Sequence, residues 1–535
     1  MRLVWLAPPR SGRPAAFPVA PFWTSVISMN SALKRWPGLV AAAASTIATA
    51  LIVTGPVHAG PPTIDWQPCP GAPGVECGTL SVPVDWSRPR GPAIDLSLSR
   101  RKATAPPERI GSLLVIPGGP GGTGAGLIRE SQVVSDDVAR RFDIVGADPR
   151  GVGHSDPIRC DLAIALEPFP VAPRNQAEFD QVVDHNRRYA ESCRRLSGPV
   201  FDFVDSVSVA RDIDAIRAAL GDAKLSAYAG SYGTLAGQMY AELFPGRIRA
   251  LALDSVMDHS LATTFQFMRT ESVGVQQSFD EFVRWNARTP DSPLAGQDAR
   301  TVFGRLLARA ERGELAFPDG RPVTAFDLRL LAHRSLYGPD WRGLAEQLAM
   351  LQATAATNAL TQDVQPQSTD VETIADPFQA IFCQDWRLPV RNYFELAAYR
   401  AVLERTVSPD LKLSPLAEFA AMSCAGWPGT ATNPQHRLHI ATDSPILMVN
   451  SRFDPATPYQ WATAVAGQSR SLALLSYDGW GHGAYFLGSE CVTGAVDAYL
   501  LNRRVPPPGS HCPAVEPPNA FAAYSLRRTP AQPRW

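Results

Sequence analysis

The run Ala227-Tyr228-Ala229-Gly230-Ser231-Tyr232-Gly233-Thr234 sets one serine among small residues where the hydrophobic pattern changes period. Upstream, Leu225 to Ala229 is short, apolar and nearly continuous, as a strand buried on both faces should be. Downstream an amphipathic helix begins. A serine between the two sits on a strained strand-to-helix turn, and bulky neighbours two positions away would clash there. Ala229 stands where such turns usually carry glycine, and it is small enough to be tolerated.

Working outward, the same kind of strand recurs. Leu113 to Ile116, Phe142 to Gly146 and Ile248 to Leu253 are short apolar runs, and Val209, Ile213, Ile216 and Leu220 repeat at helical spacing between them. Alternating strands and helices predict a parallel sheet. Gly78 to Val84 and Ala93 to Leu98 alternate instead, which predicts antiparallel edge strands. The rhythm breaks near Asp258. From 259 to 435 the pattern is mainly helical: Phe265 to Trp285, Thr301 to Ala310, Trp341 to Ala359, Phe378 to Cys383, Tyr393 to Glu404 and Leu416 to Cys424, with a polar linker from Thr361 to Asp370. Strands resume at Ile446 to Asn450 and Ser471 to Ser476, followed by a closing helix from about Ala484 to Leu500. The expected architecture is α/β: a sheet domain from 60 to 258 and 436 to 535, interrupted by a helical insertion from 259 to 435.

Composition narrows the class. The 535 residues carry 50 basic and 51 acidic side chains, a net charge of -1, so no broad basic footprint for nucleic acid exists and no nucleic-acid partner is expected. Met29 to Arg35 is a short basic region, Leu39 to Thr54 is small and apolar, and Val57-His58-Ala59 is a cleavage-like site. This is the grammar of a secretory signal over residues 1–59, with Met29 the expected true start. Its apolar run falls short of the roughly 20 residues a spanning helix needs, so no stable membrane anchor is expected after cleavage. All eight cysteines follow Ala59, and an even count in an exported chain favours disulfides. Several pairings are open. The sequential set, Cys69–Cys77, Cys160–Cys193, Cys383–Cys424 and Cys491–Cys512, is favoured because each pair closes a local loop. With nine histidines, no CxxC cluster and no HExxH, neither a metal site nor a cofactor is expected.

A serine hydroxyl needs a base held by an acid. Asp454 follows the strand ending at Asn450, and His482 lies between glycines shortly after the strand ending at Ser476. Both fall at carboxyl ends of parallel strands, where open α/β sheets place their ligands. Pro117-Gly118-Gly119-Pro120-Gly121-Gly122 follows the strand at 113–116, and its bare backbone can approach a reacting carbonyl closely. The backbone N–H groups of Gly119 and Tyr232 are the expected oxyanion donors.

Taken together, PGGPGG (117–122), DPRGVG (148–153) with Ser155, GSYGT (230–234), Asp454 and Gly481-His482-Gly483 resemble the secreted tripeptidyl aminopeptidases and their prolyl aminopeptidase relatives, α/β-hydrolases of actinomycetes. The resemblance runs from about 65 to 512 and includes Ala380 to Asp385. It implies an α/β-hydrolase fold with a helical cap, and a Ser-His-Asp peptidase that takes short peptides from free N-termini. Carboxylesterase and prolyl aminopeptidase activities are the alternatives. Pro117, where simpler prolyl aminopeptidases have histidine, points to the tripeptidyl branch. An exopeptidase must hold an ammonium, and Glu271 and Asp385 are the candidate carboxylates. Asp148 and Arg150 are expected to brace the loop near the oxyanion site.

Overall fold

The computed structural model describes residues 63–317, 320–353 and 372–517, all within the compact unit Ala59–Trp535. The proposed signal segment and the linker at 361–370 lie outside the described residues. Twelve strands are present among the described residues: β1 (Gln67–Pro68), β2 (Glu76–Pro83), β3 (Ala93–Arg101), β4 (Gly111–Ile116), β5 (Phe142–Ala147), β6 (Arg159–Asp161), β7 (Leu225–Gly230), β8 (Ile248–Asp254), β9 (Thr373–Ala375), β10 (Ile446–Phe453), β11 (Leu472–Trp480) and β12 (His511–Cys512). Ten of them form one sheet in the order β1-β2-β3-β5-β4-β7-β8-β10-β11-β12. From β5 to β12 every pairing is parallel, while β1, β2 and β3 form an antiparallel edge. This is the α/β-hydrolase architecture that the resemblance implies.

Side-chain alternation explains why the parallel strands read as continuous apolar runs. Leu114, Ile116, Ala227, Ala229, Leu251, Leu253, Ile446 and Met448 face one hydrophobic core, and Leu113, Val115, Tyr228, Ala250, Ala252, Leu447 and Val449 face the other. Helices cover both sides, so apolar residues are required on each. A third core is built by the insertion, where Phe279, Phe282, Phe303, Leu306, Leu328, Trp341 and Leu344 are buried together and Trp480 of β11 packs against them.

The chain leaves the sheet at Asp254 and returns at Ile446, and apart from β9 the regular elements described between them are α-helices joined by irregular segments. Glu418 is buried between Arg329 at 2.9 Å and Arg400, tying three helices of this cap together. The cap is also sewn to the sheet domain, because β9 within it pairs with β6. Among the described residues no helix is long and apolar enough to cross a membrane. The cysteines pair as Cys69–Cys77, Cys160–Cys193, Cys383–Cys424 and Cys491–Cys512. The last pair holds the tail so that β12 adds a parallel edge beside β11.

The structure departs from the sequence reading chiefly in its helices. The expected helix from 484 to 500 is broken: a 3-10 turn spans Ala484–Phe486, and the α-helix starts at Glu490. Gly488, with φ +78°, turns the chain, and Ser489 caps the new helix by accepting from Val492 N. Of the helix expected from Trp341 to Ala359, Trp341–Ala353 is helical and the remainder lies outside the described residues. Several helices went unread in the sequence, the longest being Gln176–Ser197 and Ala325–Tyr337.

Candidate active site

The site is assembled at the carboxyl edge of the sheet. β7 ends at Gly230, Ser231 adopts φ +55°, and a helix starts at Gly233. A left-handed conformation at a non-glycine residue is strained, and local hydrogen bonds over-determine it. Ser231 N donates to Asp254 O (2.8 Å), while Thr234 N (2.9 Å) and Thr234 Oγ1 (2.7 Å) both donate to Ser231 O. Gly233 permits the turn, since a Cβ there would come within 2.4 Å of the Pro117 carbonyl oxygen. Ala229 fits at 0% exposure without disturbing the turn.

The glycine-rich loop lies directly on the serine. A Cβ added to Gly118 would approach Ser231 Cβ to 2.7 Å and Ser231 Oγ to 3.2 Å, so any side chain would displace one or the other. Gly119 adopts φ +117°, which glycine alone enters freely. The loop's base is secured by the motif behind it: Asp148 accepts from Ala125 N (3.0 Å) and His154 N (3.0 Å). Arg150 makes a bidentate pair with Asp212 (2.6 Å to each oxygen) and donates to three backbone carbonyls. Both side chains are buried and brace the fold.

Asp454 follows β10 directly. It is buried, and its Oδ1 accepts from Ala456 N and Thr457 N at 2.9 Å each. Its Oδ2 accepts from Ser255 Oγ (2.8 Å) and Thr457 Oγ1 (3.0 Å). His482 Nδ1 lies 3.0 and 3.1 Å from the two carboxylate oxygens, which leaves Nε2 as the nitrogen free for other work. The ring remains partly exposed, as does Ser231. Burial disfavours the imidazolium, yet the charge and hydrogen bond of Asp454, helped by Asp254, outweigh it and hold the His482 pKa above its ordinary value. Ser231 Oγ and the ring, both among the described residues, share no hydrogen bond here, and such contacts commonly tighten only with substrate bound.

The loop carrying His482 is fastened at every step. His482 N donates to Tyr337 O in the cap (2.8 Å), and the Tyr337 ring lies 4.9 Å from the imidazole. Gly483 N donates to Ser255 Oγ (2.8 Å), and Ala484 N and Tyr485 N donate to the Asp254 carboxylate (2.9 and 2.8 Å). Asp254 and Ser255 were missed in the sequence. The available signal was an acid closing an apolar strand at the same sheet edge as Gly230 and Phe453.

The two candidate ammonium ligands part company. Glu271, on the Thr264–Arg288 helix, is buried, and among the described residues its carboxylate accepts one hydrogen bond, from Ser414 Oγ (3.1 Å). Burial first, and the nearby charge of Asp454 with it, push its pKa well above the usual carboxylate range. Asp385 is equally buried, yet four donors occupy it: Ser206 N (2.8 Å), Ser206 Oγ (2.7 Å), Tyr232 Oη (2.8 Å) and Asn433 Nδ2 (2.8 Å). All four donors come from the fold itself, two to each oxygen, which favours a bracing role over the expected contact with substrate. It braces the cap against the helix at Ser206 and against Tyr232, the residue that follows Ser231.

The chain is similar to several known proteins. Residues 414–512, which carry Asp454 and His482, match the family described as TAP-like protein. Serine protease Hip1 of Mycobacterium tuberculosis is 31% identical over 528 residues, covering 90% of this chain and 97% of its own. Carboxylesterase B of the same organism is 32% identical over 456 residues, covering 82% and 86%. A tripeptidyl aminopeptidase of Streptomyces lividans is 30% identical over 473 residues, covering 82% and 85%. With that sheet, that cap and these relatives, the chain belongs to the α/β-hydrolase family of TAP-like serine hydrolases, and its activity is hydrolytic.

Proposed function

We propose that this chain is an exported serine exopeptidase that releases short peptides, tripeptides in the first instance, from free N-termini. Ser231 Oγ attacks the scissile carbonyl while His482 Nε2 takes its proton, and Asp454 orients the ring through Nδ1. The N–H groups of Gly119 and Tyr232 receive the oxyanion, whose charge develops only in the transition state. His482 returns the proton to the leaving amine. Water then adds to the acyl-enzyme by the same route in reverse, freeing the peptide and restoring Ser231.

Glu271 is the observation that carries the exopeptidase reading. A buried carboxylic acid with one hydroxyl partner is costly to ionise by itself. An α-ammonium brought beside it restores the charged form and gains a charge-assisted hydrogen bond. Four disulfides go with an oxidising, extracellular setting.

The test compares kcat/KM for one tripeptide anilide, its N-acetyl form and a butyrate ester. Acetylation removes the charge and leaves the carboxylate poorly paired, a loss of roughly 2–4 kcal/mol, or on the order of 30- to 1000-fold. Equal rates on the two anilides with fast ester turnover support a carboxylesterase instead. Preference for a single proline over a tripeptide supports a prolyl aminopeptidase.

A further inference from the structure

We infer that Asp254 and Ser255, the last residue of β8 and its successor, are positioning residues that hold nucleophile, base and acid in one register. The inference rests on the Ser231–His482–Asp454 reading above. These two consecutive residues touch all three branches. The Asp254 carbonyl accepts from Ser231 N at 2.8 Å, at the strained point of the turn. The Asp254 carboxylate accepts from Ala484 N and Tyr485 N, just past His482, and from Tyr228 Oη (2.8 Å) in the neighbouring strand. Ser255 Oγ donates to Asp454 Oδ2 and accepts from Gly483 N, both at 2.8 Å. The pair is itself immobilised on β10, because Ser255 N donates to Val449 O (2.9 Å) and Val256 N to Asn450 Oδ1 (2.7 Å).

The backbone supplies a second argument. Ser255 sits at φ +60°, a region where glycine has no Cβ penalty and other residues are strained. If the position served only to turn the chain, glycine would serve it better. The serine is retained at a conformational cost, and what it adds over glycine is the hydroxyl that joins the acid to the histidine loop. Asp254 is buried, and two main-chain N–H groups donate to its carboxylate, which thereby fixes the chain just past His482.

The decisive variant is Ser255→Gly, which removes the hydroxyl while relieving the left-handed strain. Loss of register through small misplacements lowers rate on the order of 10- to 100-fold. The expected result is a kcat lower by about that factor on the N-acetyl and free anilides alike, with KM within about two-fold and the thermal midpoint preserved. The downfield proton resonance of the His482–Asp454 hydrogen bond should shift or broaden. A residue that merely stabilised the loop would lower the midpoint and leave kcat of the folded fraction and the resonance in place. Asp254→Asn should act in the same direction, but it can disturb folding, so Ser255→Gly is the variant that decides. Wild-type kcat with an unchanged resonance in that variant overturns the inference. Ser231→Ala keeps the two readings apart. If it retains turnover, the triad assignment fails and the inference with it; if it is inactive while Ser255→Gly is fully active, only the inference falls.

Discussion

Glu271 and Asp385 are both buried acids of the cap, and the sequence offers them for the same task. One carboxylate meets a single hydroxyl, and the other meets four donors. Their burial alone does not distinguish them. For both, burial is the largest influence and raises the pKa, to about 7 at Asp385, where Asp205 adds to the effect and the hydrogen bonds from Ser206 and Asn433 oppose it. What differs is whether the fold itself answers the carboxylate. A buried acid whose lone pairs are filled by its own chain is a brace, since its removal leaves several donors unsatisfied. A buried acid left nearly alone is destabilising until something cationic arrives, and that is the property an ammonium subsite requires.

The sharpest way to break this contrast is Glu271→Gln. Glutamine keeps the volume and can still accept from Ser414, so the fold should be unaffected. On the free tripeptide anilide kcat/KM should drop on the order of 30- to 1000-fold, while the N-acetyl anilide should change by less than about three-fold. A comparable loss on both substrates would place Glu271 in the general architecture alongside Asp385.

Asp385→Asn should show the opposite pattern. The amide keeps one acceptor oxygen and turns a donor toward groups that are themselves donors. A destabilisation of about 1–3 kcal/mol is expected, read as a lower thermal midpoint, with free and blocked substrates losing kcat equally. Discrimination between the two anilides should survive intact. If that ratio collapses in Asp385→Asn, the reassignment of this residue is wrong.

A pH profile measured on the blocked anilide isolates the base from Glu271. As the proposed base, His482 would work unprotonated, and its pKa is raised in the folded protein, so the acid limb of kcat/KM should inflect above the ordinary histidine value of 6.5. Asp454→Asn removes the charge that favours the imidazolium, and in its residual activity the inflection should move to lower pH. A limb that stays put would mean that Asp454 does not face the titrating group.

These tests also mark what sequence could and could not say. Ser231, Asp454 and His482 stand out as candidates in the sequence because each sits in a local signature: small residues around a strand-to-helix turn, an acid after an apolar strand, a histidine between glycines. The parallel strands were legible because double burial leaves nearly unbroken apolar runs, and each disulfide closes a short stretch of chain. The helix Gln176–Ser197 was not. It carries charge along most of its length and buries polar residues such as His185 and Asn186, the latter donating to Met422 O and Ala425 O in the cap. Its partners are supplied by chain more than two hundred residues away. The same limit hid Asp254 and Ser255, and the difference between Glu271 and Asp385. Hydrogen-bond occupancy is a tertiary property, and residue type at one position carries no record of it.

Tyr232→Phe gives the smallest and most discriminating effect. The phenol is kept protonated, by burial above all and by the adjacent Asp385 charge, so it remains a donor at any working pH. Deleting it removes one of the four donors on Asp385 and leaves the Tyr232 N–H, the proposed oxyanion donor, in the chain. A lost hydrogen bond of this kind is worth about 0.5–1.5 kcal/mol, rising toward 3 when the partner is charged. If Asp385 aims the elbow through this bond, kcat should decrease by roughly 3- to 30-fold on both anilides and on the ester, with KM nearly constant. If Asp385 only staples the cap, the midpoint should fall and kcat should not. The ratio of free to blocked anilide should stay at its wild-type value in either case, because Glu271 is untouched. A change in that ratio would show that the brace and the ammonium subsite are one device.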